Sequence, residues 1–185
     1  MIRIITGSAK GKRLATLEGE ATRPTTQRVK EAVFSSLQFD IEARRVLDLF
    51  GGCGQMGLEA LSRGAKSATF IDAAADAMAV IKENAVATGF FKSCHFLISD
   101  YRNYIRKASG RDAFDLIFID PPYAMNAAGD AVDKILASHL AADGCIFVIE
   151  SGTPYTADPE QFEIIKEARY SKSFVSILQW KGENR

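Results

Sequence analysis

The sequence predicts an α/β fold: a mostly parallel sheet with helices on both faces and an antiparallel last strand, preceded by a small β-hairpin and a helix. Three observations carry this expectation. From about residue 45 onward, short apolar runs alternate with segments of helical period, the pattern of parallel strands joined by crossover helices. A glycine-rich turn stands where the first of these strands passes into its helix. Near the C-terminus, two strand-like runs are separated only by Ser171 and Lys172, too short for a parallel crossover, so that pair must be antiparallel.

The elements follow in order. Residues 2–6 form a β-branched run, punctuated by Gly7 and Gly11, and residues 14–17 pair back on it as a hairpin. Residues 25–39 read as a helix, because Val29, Ala32, Val33, Phe34 and Leu37 recur at helical spacing. Thr25 is its expected N-cap, and Pro24 keeps Arg23 out of helical geometry. Strands are expected at 46–50, 68–71, 94–98, 114–119 and 145–149. Between them, Leu58, Leu61 and Ala65 mark a helix ending near Gly64. Residues 76–88 form another, with Ala77, Val80, Ile81 and Ala85 on one side and Gly89 as its stop. Residues 101–108 and 129–140 are the last two helices, and 162–170 with 173–180 make the terminal hairpin. The organisation divides at residue 44: an extension over 1–44 and a sheet domain over 45–185.

Composition narrows the class. The chain has 185 residues with 47% hydrophobic content, suited to one packed domain and not to a disordered chain. No apolar run approaches the ~18 residues of a membrane span, and no secretion signal is read at the N-terminus. Cys53, Cys94 and Cys145 are far apart and lack CxxC spacing, which argues against a disulfide framework or a zinc site and fits a cytoplasmic protein. His95 and His139 lie on unrelated elements, so no metal is expected. The balanced net charge hides an asymmetry: residues 1–30 hold seven basic and two acidic residues, the remainder 16 and 21. A basic arm on an acidic body suits a polyanionic partner, or is a solvated tail.

Four acidic positions carry the chemistry. Asp48-Leu49-Phe50-Gly51-Gly52-Cys53-Gly54 enters a glycine-rich turn, and Gly52, Gly54 and Gly57 spell GxGxxG. Glycines allow close backbone approach, and the helix start supplies N–H groups. Asp48 would repel a pyrophosphate but suits a cationic ligand such as S-adenosylmethionine; the alternative is a tight structural turn. Cys53 reads as a small, soft loop residue and not as a nucleophile. Asp72 ends the next strand, where an acid accepts both ribose hydroxyls of a nucleoside or caps a helix. Asp100 follows the third strand, as acceptor for an adenine amine or as a helix cap, with Tyr101 offering an aromatic surface beside it.

The most specific signal is Asp120-Pro121-Pro122-Tyr123, after an apolar strand. Two prolines fix two φ angles and remove two donors. The Asp120 carboxylate and the Pro121 carbonyl then face one point as rigid acceptors, suited to a planar NH2 group. Tyr123 would stack on the base that carries it. Such a site works by placement and polarisation.

The segments Gly7-x-x-Lys10-Gly11-x-Arg13-Leu14, Arg23-Pro24-Thr25-Thr26-x-Arg28-Val29-Lys30-Glu31-Ala32-x-Phe34, Val46-Leu47-Asp48-Leu49-Phe50-x-Gly52-x-Gly54, Gly57-x-Glu59-Ala60-Leu61-Ser62-Arg63-Gly64-Ala65 and Asp120-Pro121-Pro122-Tyr123 together resemble the bacterial RsmD family. These are S-adenosylmethionine-dependent methyltransferases acting on a guanine N2 of 16S ribosomal RNA. The resemblance runs from Arg3 to about Glu150. It implies a class-I, Rossmann-like sheet of seven strands with the last antiparallel. It implies that Asp48, Phe50, Gly52, Cys53 and Gly54 line the methionine end of the cofactor, Asp72 its ribose, and Asp100 with Tyr101 its adenine. Asp120, Pro121, Pro122 and Tyr123 would hold the guanine. Arg3, Lys10, Lys12, Arg13, Arg23, Thr25, Arg28 and Lys30 would contact 16S RNA or the assembling 30S subunit, with neither a membrane nor an obligate protein partner implied. The glycine loop departs from the family's usual Ala-Gly-Ser-Gly, and Ala73-Ala74-Ala75 replace its usual charged residues.

Three rivals remain. An N6-adenine DNA methyltransferase uses the same Asp-Pro-Pro-Tyr chemistry, but 44 residues leave little room for DNA target recognition. A nicotinamide-dependent oxidoreductase accounts for GxGxxG and gives Asp120–Tyr123 no role. A non-catalytic RNA-binding protein has no need of that segment.

Overall fold

The computed structural model describes residues 1–17, 26–111 and 113–183. Arg23 and Thr25 lie outside them, as does the side chain of Tyr123. A two-stranded ribbon comes first, with β1 (Ile2–Arg3) antiparallel to β2 (Arg13–Leu14). Helix α1 (Gln27–Ser36) follows. Then come β3 (Arg45–Asp48), α2 (Gln55–Ser62), β4 (Ser67–Asp72), α3 (Ala75–Thr88) and β5 (Cys94–Ile98). The chain continues through α4 (Tyr101–Ala108), β6 (Phe114–Ile119), α5 (Ala128–Ala137), β7 (Ala141–Ser151), β8 (Phe162–Tyr170) and β9 (Ser173–Trp180).

Strands β3 to β9 form one seven-stranded sheet in the order β5-β4-β3-β6-β7-β9-β8. Neighbours are parallel from β5 to β7, and β9 runs antiparallel to both β7 and β8. Alternate residues feed two cores. Val46, Phe70, Leu116, Phe118, Val148 and Ile177 pack against Val33 and Phe34 of α1, Leu58 of α2 and Ile81 of α3. Leu47, Ile71, Ile117, Phe147 and Leu178 pack on the other face against Tyr104 of α4 and Ile135 of α5. The central strands β3, β4 and β6 are mostly apolar because both of their faces are covered, whereas the edge strand β8 is rich in charge and largely exposed. No helix among the described residues is long and apolar enough to cross a membrane.

The helix expected from residue 25 begins later. Its N-cap is Thr26, whose Oγ1 accepts from the Val29 N–H, not Thr25. It ends at Ser36, where Leu37 leaves helical geometry. The terminal hairpin, α4, β5 and β6 have the expected bounds, while β7 is longer at both ends than the expected 145–149.

Candidate active site

Four carboxylates line the edge where the parallel strands end. Asp48 ends β3 and Asp72 ends β4; Asp100 lies two residues beyond β5, and Asp120 one residue beyond β6. The strand order sets them side by side as Asp100, Asp72, Asp48 and Asp120. Chain direction across the sheet reverses between β3 and β6, where open α/β sheets bind ligands. Neighbouring strands lie roughly 4.8 Å apart, so the row spans about three such steps.

The glycine loop crosses this edge. Asp48 is buried, and its Oδ2 accepts from the Gly57 N–H at 3.2 Å, satisfying one donor of the first turn of α2. Burial pushes the Asp48 carboxyl up to about 7; the Gly57 hydrogen bond opposes this and the neighbouring Asp72 charge adds to it. The glycines divide the work. Gly54 caps α2 with a left-handed φ of 80°, and Gly52 has φ of 56° with open space where a Cβ would stand. A Cβ on Gly57 would lie 2.4 Å from the Phe70 ring, so the last glycine of GxGxxG serves close helix–sheet packing. Asp72 holds the loop from β4: its Oδ2 accepts from the Gly52 N–H at 2.9 Å and its Oδ1 from the Ala74 N–H at 2.9 Å. Asp100 caps α4, accepting from the Arg102 and Asn103 N–H groups. Carboxylate oxygens have two lone pairs each, so both acids keep acceptor capacity toward a ligand.

At the Asp120 corner, Pro121 is buried and Pro122 exposed, and the Met125 N–H donates to the Pro122 carbonyl at 2.9 Å. Asp120 is half-buried beside a small cavity lined by Val33, Met56, Phe118, Glu150 and Val175.

Two expected roles are corrected. Lys30 is fully buried: its Nζ pairs with Glu59 at 3.0 Å and donates to the Arg3 carbonyl at 2.9 Å, so it cannot reach a phosphate. Tyr101 offers no free aromatic surface. It is buried, its ring lies 5.2 Å from that of Phe50, and its hydroxyl donates to Asp130 at 2.6 Å. Burial, with Asp130 as hydrogen-bond partner, pushes this phenol up to about 12. Phe50 remains half-buried against Tyr101. Cys53 is buried, and burial raises its thiol, which keeps it un-ionised.

The remaining basic residues are accessible. Arg3, Lys10, Lys12, Arg13 and Arg28 are exposed or half-buried. Arg3 and Arg13 are register partners across the ribbon and line a concavity of about 390 Å³ with Met1, Gly11 and Gln27.

Two polar residues given no role in the sequence reading tie this arm to the sheet domain, Asn84 to the glycine loop and Glu59 to α2. Asn84 of α3, buried, donates through Nδ2 to the carbonyls of Cys53 (2.8 Å) and Ala15 (2.9 Å), and its Oδ1 accepts from the Ala15 N–H at 2.7 Å. Glu59 of α2, fully buried, accepts from the Ile5 and Thr6 N–H groups, Lys30 and Arg63. A polar residue on an otherwise buried helix face is the signal that would have found both.

The family model described as conserved hypothetical protein 95 matches residues 2–179. The ribosomal RNA small subunit methyltransferase D of Haemophilus influenzae is 31% identical over 168 residues, covering 90% of this chain and 87% of its own. The protein of the same name from Escherichia coli K12 is 31% identical over 150 residues, covering 81% of this chain and 74% of its own. Among solved structures, the yhhF protein of Escherichia coli matches with a TM-score of 0.88 and 27% identity, covering 98% of this chain and 99% of that one.

Proposed function

This chain belongs to the RsmD family, whose model is described as conserved hypothetical protein 95, and from that membership we propose that it transfers a methyl group from S-adenosylmethionine to the exocyclic N2 of a guanine in small-subunit ribosomal RNA. The observation that carries the reading is the position of the Asp120-Pro121-Pro122 corner, one strand away from the glycine loop on the same sheet edge.

The residues present fit the cofactor. Asp48 is a buried acid that a cationic ammonium would complement, and Gly52 leaves open space where a side chain would intrude. Asp48, Gly52 and Gly54 would hold the methionine end, together with Phe50 and Cys53, whose carbonyl accepts from the Asn84 amide. Asp72 would accept from the ribose and Asp100 from the adenine. When bound, S-adenosylmethionine supplies the methyl group on a sulfonium. The Asp120 carboxylate and the Pro121 carbonyl accept the two N–H bonds of the target amine, raising density on nitrogen and fixing where its lone pair points. Tyr123 follows in the chain as the stacking residue of this reading. The target base leaves its stack to reach the corner.

Asp48 makes cofactor binding proton-linked. A cationic ligand selects the carboxylate, so affinity for S-adenosylhomocysteine should rise by up to about tenfold per pH unit below the Asp48 value and level off above 7. Calorimetry across this range should show the slope in the wild type and none in Asp48→Asn. In the ligand-free protein the sign is opposite for stability: a carboxyl raised from 3.8 to about 7 favours the fold at low pH, and that contribution is lost as pH rises through 7.

The arm would neutralise phosphates through Arg3, Lys10, Lys12, Arg13 and Arg28, with Arg23 adding charge and Thr25 a neutral RNA contact, both from outside the described residues. Reversing charge at Lys10, Lys12 and Arg13 should weaken RNA binding and flatten its salt dependence by about one unit of slope for each phosphate no longer neutralised. A filter-binding titration at several salt concentrations reads both. An unchanged slope leaves those residues solvated.

A tritiated-methyl assay tests the reaction itself. The enzyme is offered 30S particles, 16S RNA and duplex DNA in parallel, and the modified base is identified by mass spectrometry. Label in N2-methylguanine from a ribosomal substrate is expected. Label in N6-methyladenine of duplex DNA would move the chain to the rival class.

A further inference from the structure

The Asp-Pro-Pro corner accepts any conjugated amine, so the choice of guanine over adenine must be made by another group. We propose that Glu150 makes it, accepting the ring N1–H of the guanine while Asp120 accepts its N2 amine. This rests on the methyl-transfer reading above and names the residue that sets its base specificity.

Strands β6 and β7 are parallel, and their register runs to Ile119 opposite Ile149. Asp120 directly follows β6 and Glu150 is the next residue of β7 after that pair, so the two stand as neighbours across adjacent strands that lie about 4.8 Å apart. They follow Phe118 and Val148 at the two-residue period, which turns both side chains to the α1 face. Both line the same cavity, whose remaining wall includes Val33, Met56 and Val175. Glu150 is only 9% exposed, at the end of the apolar run Cys145-Ile146-Phe147-Val148-Ile149. An apolar residue would be less costly in that wall.

The Watson–Crick edge of guanine complements this pair of carboxylates. N1–H and the N2 amine are adjacent donors, matching two adjacent carboxylates. Adenine has an amine beside an unprotonated N1, whose lone pair a carboxylate repels. A carboxylate has about four acceptor positions, so Glu150 can take the N1 proton alongside bonds within the protein. A site built to hydrogen-bond a substrate N–H discriminates strongly against an analogue that lacks it.

The test is a cycle of two enzymes and two bases. Wild type and Glu150→Gln are assayed on synthetic RNA with guanine or 2-aminopurine at the position the wild type methylates. 2-Aminopurine keeps the amine and replaces N1–H by an acceptor. The wild type should prefer guanine by at least about tenfold in kcat/KM. Glu150→Gln should lose roughly ten- to hundredfold on guanine and hold or gain on 2-aminopurine, because the glutamine amide donates to the unprotonated N1. The guanine preference then falls toward one. Melting temperature and S-adenosylhomocysteine affinity report whether the variant is intact. Equal loss on both bases would assign Glu150 to the scaffold alone and overturn the inference. A wild type that methylates 2-aminopurine as fast as guanine overturns it with no variant needed. Absence of any N2-methylguanine in the wild-type product overturns the methyl-transfer reading instead, which separates the two failures.

Discussion

Asp120→Ala should lower turnover by roughly 10²–10³-fold, the loss typical of removing one preorganised group that fixes the reacting centre. Affinity for S-adenosylhomocysteine should stay within about twofold, because the cofactor's proposed contacts, Asp48, Asp72 and Asp100, come from β3, β4 and the end of β5. Asp120→Asn keeps one carbonyl acceptor and should recover part of the rate. Single-turnover methylation with saturating cofactor measures the first effect and calorimetry the second. Equal losses in rate and cofactor affinity would place Asp120 in the cofactor site and remove the amine acceptor from the corner.

That corner is legible in the sequence because its signal is local. Two prolines and an acid after a six-residue apolar strand mean much the same in any surroundings, and β6 ends where the sequence says it should. The four acids at strand ends are legible for the same reason: once the alternation places the strands, the sheet brings their ends together. Lys30 escapes such a reading because a charge count does not register burial. The period itself holds the correction, since Lys30 lies on the stripe of Val29, Val33, Phe34 and Leu37, and the structure buries all five. Tyr101 escapes it because its role depends on Asp130 and Phe50, residues 29 and 51 positions away on other elements. The Asn84 bridge is longer still, reaching Ala15 across 69 positions. Long-range pairings of this kind leave only a polar residue on an apolar face as their trace.

Glu59 carries the largest expected effect on stability. Its carboxylate is fully buried and accepts from two backbone N–H groups of the arm, from Arg63 at 2.9 Å and from Lys30 at 3.0 Å. Glu59→Ala leaves the Lys30 ammonium buried without this counter-charge and two N–H groups without their acceptor. Breaking a buried pair from one side costs about 3–5 kcal/mol, and in a chain of this length that lowers Tm by about 10 °C or more. The sign with pH identifies the cause. Burial lowers the Lys30 pKa below 10.5, and Glu59 opposes that shift. Without Glu59 the folded amine is depressed further, so the unfolded chain binds more protons over the alkaline range below 10.5. The variant should therefore recover stability as pH rises toward that value, by more than the wild type does. Adding Lys30→Met to Glu59→Ala should restore part of the loss at neutral pH and remove the alkaline recovery. Urea melts at several pH values separate these cases. A Glu59→Ala deficit that is flat with pH, and that Lys30→Met does not reduce, would mean that the loss comes from the arm's N–H groups and that the ammonium contributes none of it.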